Sequence, residues 1–261
     1  MNTTLIIPWN LLDDLRVCGI HPTDLVLYVT SRCNLRCAHC YIGDKLLDAE
    51  NDYDFPTLAR FMQSFPKLDR ITVLGGEPIL YPHLVDLIDT LSSILIRERR
   101  LTTNLISISD QLVNMLQHAG FRVCVSVDGH TQGIHERIRG HNTFGHTVRN
   151  LRRLVAAGCD VEVTHTVTSL SAPHIFDFLS FLKDIGVRRA NLHKVSPRGN
   201  AIKNPWIDVG PTQWRNLLQT LEERACTASN EAILLRYEVL YCTEVEYAQL
   251  LSSGAYRPHA A

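Results

Sequence analysis

The sequence has no apolar run approaching the roughly 20 residues that a membrane-crossing helix requires. Its first residues, MNTTLIIPWN, lack the basic segment and long apolar stretch of a secretory signal. A predominance of one charge is missing too: 26 Lys and Arg stand against 27 Asp and Glu, for a net charge of −1. So balanced a chain is not built to be held by nucleic-acid phosphates or an anionic membrane, and neither partner is expected. Low-complexity tracts are also absent. What remains is a 261-residue chain, 45% apolar and 20% charged, long enough to bury one large core. The expectation is a cytoplasmic protein, a setting where disulfides are rare and clustered cysteines bind metal or react. Cys18, Cys124, Cys159, Cys226 and Cys242 are scattered and read as small buried hydrophobes. The basic runs Arg97–Arg100 and Arg149–Arg153 read as solvated helix faces.

Along the chain, short β-branched runs alternate with amphipathic stretches. Strands are predicted at DLVLYVT (Asp24–Thr30), RITVLGGEP (Arg70–Pro78), RRLTTN (Arg99–Asn104), FRVCVSVDG (Phe121–Gly129), CDVEVTHTVTS (Cys159–Ser169) and RRANLHKVSP (Arg188–Pro197). Helices are predicted over His83–Ile96, from Ser109 to near Gly120, and over Thr143–Ala157, Ala172–Ile185 and Pro211–Ser229. Ala232–Glu238 adds a possible short strand, and Pro197–Gly210 reads as a long loop. Such alternation implies parallel pairing through right-handed crossovers. Polar signatures fall at the C-terminal ends of the strands, the edge where barrels build active sites. The fold class is therefore α/β, a partial (β/α)6 TIM-like barrel of parallel strands. Residues 1–23 form an extension, 24–200 the barrel, and 201–261 a C-terminal helical segment.

Three of the eight cysteines, Cys33, Cys37 and Cys40, lie in the stretch SRCNLRCAHCY, directly after the first strand. Three thiolates match poorly with the closed tetrahedral set of a structural zinc site. His39 as a fourth ligand would strain the backbone, because it adjoins Cys40. An iron–sulfur cluster held by three thiolates accounts for them better, with one iron left open.

CNLRCAHC resembles the CxxxCxxC signature of the radical S-adenosylmethionine (SAM) enzymes. That resemblance implies a [4Fe–4S] cluster on Cys33, Cys37 and Cys40, with SAM chelating the fourth iron. Reductive cleavage of SAM would then give a 5′-deoxyadenosyl radical that abstracts a substrate hydrogen, with electrons from a low-potential donor such as flavodoxin or ferredoxin. Gly75, Gly76, Glu77 and Pro78 (GGEP) are similar to the family's SAM-binding turn, and His39 takes the place of its aromatic residue near the adenine. LTTN resembles a Thr-Asn pair of the family, which implies that Thr103 and Asn104 line the cavity near SAM or substrate. SVDG, with Ser126 and Asp128 on one strand face, and HERIRG, ending in Arg139, resemble the SPASM and twitch subfamily. Arg139 would there bind the SAM carboxylate. On the fifth strand Glu162, Thr164, Thr166 and Thr168 share a face, which places Thr166 toward the lumen or the SAM ribose. LHKVSPRGNA resembles the family's stretch ending in P-x-G-[RN]-A.

The resemblance covers about Leu25–Asn200. Cys226 and Cys242 alone cannot complete an auxiliary cluster, so 201–261 resembles at most a truncated SPASM or twitch region, in a short form or in a chain that continues further. Three functions follow as expectations. The first is hydrogen abstraction from a small natural-product, sugar-like or peptide substrate, with Cys242, Cys226 or Cys124 as a thiol hydrogen donor if the outcome is epimerisation. The second is a peptide-modifying maturase lacking its C-terminal domain. The third is a non-catalytic iron–sulfur redox or sensor protein, which GGEP disfavours.

Overall fold

Period-two alternation decides the architecture, because it gives each strand one apolar and one polar face. In the computed structural model, which describes residues 24–43, 52–225 and 234–237, seven strands form one parallel sheet in chain order. They are β1 (Asp24–Tyr28), β2 (Lys67–Leu74), β3 (Leu95–Thr103), β4 (Phe121–Ser126), β5 (Asp160–Val167), β6 (Arg189–Lys194) and β7 (Leu234–Tyr237). Helices α1 (Phe55–Gln63), α2 (Leu84–Ser92), α3 (Asp110–His118), α4 (Gln132–Arg139), α5 (Phe144–Ala156) and α6 (Ile175–Ile185) lie between the strands. Beyond β6 come a single turn, α7 (Asn200–Lys203), and α8 (Pro211–Ala225). β1 and β7 are the sheet's two edges, so the partial barrel is the predicted one, with β7 where the seventh strand was expected. The extension 1–23 lies outside the described residues, as does most of the C-terminal segment after Ala225.

Ile71, Val73, Leu101, Val123, Val125, Val161, Val163 and Leu192 are buried on the outer face of the strands, in one core with Leu87, Leu91, Leu116, Leu151, Phe178 and Leu182 of the helices. Many of the alternate residues line the lumen and are polar, among them Arg100, Thr102, Glu162, Thr164, Thr166 and Asn191. At its base the charges alternate strand by strand: Asp24, Arg70, Glu98, Arg122, Asp160, Arg189. Arg70 reaches Asp24 at 3.6 Å and Glu98 at 3.0 Å. Arg122 reaches Glu98 at 2.5 Å and Asp160 at 3.0 Å, and Arg189 pairs with Asp160. Arg100, one step higher, also donates to Glu98 at 2.9 Å.

Several predicted boundaries are corrected here. The helix read over His83–Ile96 stops at Ser92, and Leu95 opens β3, 72% exposed. Arg97–Arg100 lies on that strand rather than on a helix face: Arg99 donates to the carbonyls of Leu91, Ile94 and Ile96, and Arg100 turns into the lumen. In α5, Arg153 is tied to Ile108, Asn150 and Asp110 instead of being free in solvent. The predicted loop Pro197–Gly210 contains α7 and a 3-10 turn at Pro205–Ile207. α1, unforeseen, is started by Asp54, whose carboxylate accepts from Thr57 N at 3.0 Å.

Candidate active site

All six βα connections leave from the same end of the sheet, and the loops there surround a cavity of about 560 Å³. Cys33, Cys37 and Cys40 line one side, in the loop after β1. Gly75, Gly76 and Glu77 follow β2, Thr103 and Asn104 end β3, Ser126 ends β4, and Arg139 ends α4; all line the cavity. Thr164, Thr166 and Glu162 of β5, and Asn191 and His193 of β6, complete the far wall with Arg100 and Cys124. Of the residues singled out in the sequence, His39 also reaches this wall.

The glycines of GGEP are needed where β2 meets the cysteine loop. Gly76 N donates to Thr30 O at 2.8 Å and Glu77 N to Arg32 O at 2.7 Å. A Cβ on Gly75 would stand 2.5 Å from Thr30 O, and one on Gly76 2.3 Å from Arg32 O. Glu77, 2% exposed, accepts from Thr103 Oγ1 at 2.6 Å, Asn104 N at 2.7 Å and Ile79 N at 3.2 Å. Burial raises its carboxyl pKa against the pull of these donors. Pro78 is buried behind the wall, where it begins a 3-10 turn. Asn104 spends its side chain on Asn34 Oδ1 in the cysteine loop, at 2.8 Å, and on Ile106 N.

Asp128 is corrected. Alternation put it beside Ser126 on the cavity face, but β4 ends at Ser126 and the chain then turns. Asp128 is fully buried behind the wall, where it ties three elements together. Oδ2 bonds His39 Nε2 and accepts from Arg139 Nε, both at 2.6 Å, and Oδ1 accepts from Thr166 N at 2.8 Å. Burial alone would raise its carboxyl pKa, but Arg139 and His39 beside it hold it well below the usual range. His135, behind the same turn, is kept neutral by burial and by Arg139, with its pKa lowered to about 4. Thr168, expected on the lumen row, instead bonds Ser171. Cys242 and Cys226 lie outside the described residues. Cys124 is the described cysteine beyond the triad that faces the cavity, its thiol pushed up to about 12 by burial and by Glu162.

The stretch LHKVSPRGNA, singled out in the sequence without a role, braces the cysteine loop from the segment after β6. Asn200 N donates to Cys40 O at 2.8 Å, Asn200 Nδ2 to Cys37 O at 3.0 Å, and Asn204 Nδ2 to Ala38 O at 3.3 Å.

The donor set distinguishes a single ion from a cluster. Among the described residues, the three side chains whose ligand atoms come within 4.8 Å of one another are His130, His174 and Asp177, outside this cavity. A lone zinc ion in a structural site asks for four ligands about 2.0–2.3 Å from a common centre, whereas a cluster takes each thiolate on its own iron. Three cysteines on one cavity wall match the second donor set. Burial raises the pKa of Cys33 and carries that of Cys37 to about 12.

Residues 27–188, more than half of the chain, match the radical SAM superfamily. The chain is 26% identical over 199 residues to mycofactocin maturase MftC of Mycobacterium tuberculosis, covering 73% of this chain and 49% of that one. It is 27% identical over 190 residues to a probable GTP 3′,8-cyclase of Sulfolobus acidocaldarius, covering 70% and 59%. In fold it resembles SuiB of Streptococcus suis bound to its precursor peptide SuiA, with a TM-score of 0.70, 17% identity, and 88% of this chain and 52% of that one covered. The chain thus spans about half to three-fifths of these relatives. No described helix is long and apolar enough to cross a membrane.

Proposed function

Because the chain belongs to the radical SAM superfamily, we propose that it holds a [4Fe–4S] cluster on Cys33, Cys37 and Cys40 and cleaves SAM to attack a C–H bond of a polar substrate. When bound, cluster and SAM supply a one-electron cleavage that yields a hydrogen-abstracting carbon radical. The protein's own residues bind and orient. Arg139, anchored through Nε to Asp128, offers the rest of its fork to a carboxylate. Glu77 accepts three donors and keeps acceptor capacity for an ammonium group. Ser126, Thr166 and His39 line the same cavity. The lumen beyond, with Thr164, Asn191 and His193, suits a substrate rich in hydrogen-bonding groups, whether small natural product, sugar-like molecule or peptide. Electrons would come from a low-potential flavodoxin or ferredoxin.

The observation that carries this reading is the convergence of three unshared thiols, Glu77 and Arg139 on one cavity. Peptide maturation is a second reading, supported by SVDG and HERIRG and by the likeness to MftC and to peptide-bound SuiB. The test is anaerobic reconstitution with iron and sulfide, followed by dithionite and SAM. About four irons per chain and release of 5′-deoxyadenosine are expected, with both lost in Cys37→Ala. Stoichiometric zinc in place of iron, or no deoxyadenosine from a loaded cluster, would overturn the proposal.

A further inference from the structure

The segment after β6 serves two sites at once. Its Ser196 and Arg198 line the cavity, and the next residues grip the loop that carries the three cysteines. Gly199, at φ +55, lies so close that a Cβ would stand 2.3 Å from Cys40 O and 2.5 Å from Tyr41 O. That contact lets Asn200 insert two donors: its backbone N–H to Cys40 O at 2.8 Å and its side-chain amide to Cys37 O at 3.0 Å. Asn204, one helical turn on, donates to Ala38 O at 3.3 Å and to Asn200 O at 2.9 Å. Three carbonyls of one loop, those of Cys37, Ala38 and Cys40, are thereby held, two of them belonging to cysteines of the triad.

A peptide carbonyl is a strong dipole one residue's length from the thiolate it shares a backbone with. Where it points fixes both the reach of the sulfur and the field at the metal, and partners beyond the ligands tune both. We propose that Asn200, supported by Asn204, is a positioning residue for the cysteine loop. It joins the cavity wall at Ser196–Arg198 to the backbone of Cys37 and Cys40, so the substrate-facing segment and the cluster-bearing loop hold one geometry together. The inference rests on the reading that the triad carries a cluster.

The test compares Asn200→Ala, Asn200→Asp and Asn204→Ala with the parent chain, and uses Ile202→Ala, at a side chain 69% exposed, as a folding control. Asn200→Ala keeps the backbone donor to Cys40 and loses only the bond to Cys37. Three readouts are taken: iron release to a chelator under anaerobic conditions, cluster midpoint potential by spectroscopic titration, and alkylation of Cys37 in metal-free protein. For Asn200→Ala, iron release and Cys37 alkylation are each expected to rise about tenfold or more. Asn200→Asp sets a carboxylate against the Cys37 carbonyl and is expected to release iron faster still, with a more negative potential. Asn204→Ala should move the same readouts less. Parent-like release, potential and alkylation in both Asn200 variants would overturn the inference while leaving the proposed function standing. If the parent chain takes up no cluster, the proposed function fails instead, and alkylation of Cys37 still decides this one. Should Asn200→Ala not fold, Asn204→Ala decides by the same measures.

Discussion

Replacing Asp128 with Asn removes one charge and almost no volume, yet its consequences reach the cysteine loop, α4 and β5 together. The carboxylate is fully buried, and its two oxygens meet His39, Arg139 and Thr166 N at 2.6, 2.6 and 2.8 Å. An Asn oxygen can keep the Thr166 bond, which turns the new amide N–H toward two donors. His39 can present its other tautomer as an acceptor. Arg139 cannot, and it is left buried without the carboxylate it pairs with. Stranding one partner of a buried pair costs about 3–5 kcal/mol, a large share of the roughly 5–15 kcal/mol that holds a domain folded. For a chain of this size the melting temperature should fall by about 10 °C or more. The assay is urea and thermal unfolding of metal-free protein, which keeps cluster chemistry out of the result. Asp128→Asn combined with Arg139→Met removes the stranded charge as well, so the double variant should recover at least about 1.5 kcal/mol over the sum of the singles. A single variant within about 1 kcal/mol of the parent, or strictly additive losses, would refute the reasoning.

His135 is neutral when folded, with a pKa of about 4 against an ordinary 6.5. Its contribution is therefore full above pH 6.5 and is lost as pH falls toward 4, amounting to about 2 kcal/mol between pH 7 and pH 5; urea midpoints across that range should show it, and His135→Asn should flatten the curve. Gly76→Ala must push Arg32 O away from a Cβ otherwise 2.3 Å distant; we expect a loss of about 2 kcal/mol or more and faster alkylation of Cys33, read by denaturation and thiol labelling. Glu98→Gln leaves Arg70, Arg100 and Arg122 facing one another. Although burial would raise the Glu98 pKa, Arg100, Arg70 and Arg122 carry it down to about 2, so the variant should lose about 2 kcal/mol near neutral pH after allowance for solvent screening, and the difference should shrink below pH 4.5.

Much of this was legible in the chain because local patterns carry it. CNLRCAHC and GGEP sit at the ends of strands whose alternation is clear, and Glu162, Thr164 and Thr166 face the lumen as their spacing predicts. The misreadings share a physical cause: a period holds only inside an element. Asp128 lies two residues past the end of β4, where alternation no longer fixes direction. Leu95 fits the helical spacing of Leu84, Leu87, Ile88 and Leu91, although β3 has already begun. The roles of Asn200, although it lies in the PRGNA stretch, and of Asn204 stay silent for another reason, since their partners lie over 160 residues away in sequence and nothing local says what an asparagine grips. Arg100 misled because a charge lining a lumen looks, in sequence, like one facing water.

The alternating charges at the barrel base also bear on how the strands find their alignment. Glu98 sits in register with Arg70. Were β3 to slide along β2 by two residues, its apolar outer face would be kept, and hydrophobicity alone would not object. Arg100 would then take the place of Glu98 between Arg70 and Arg122, and three guanidinium groups would crowd together. A slip by one residue is opposed by hydrophobicity; this slip by two is opposed by like charges. The charges at the base thus discriminate between alignments of β2 and β3 that the apolar pattern leaves equal.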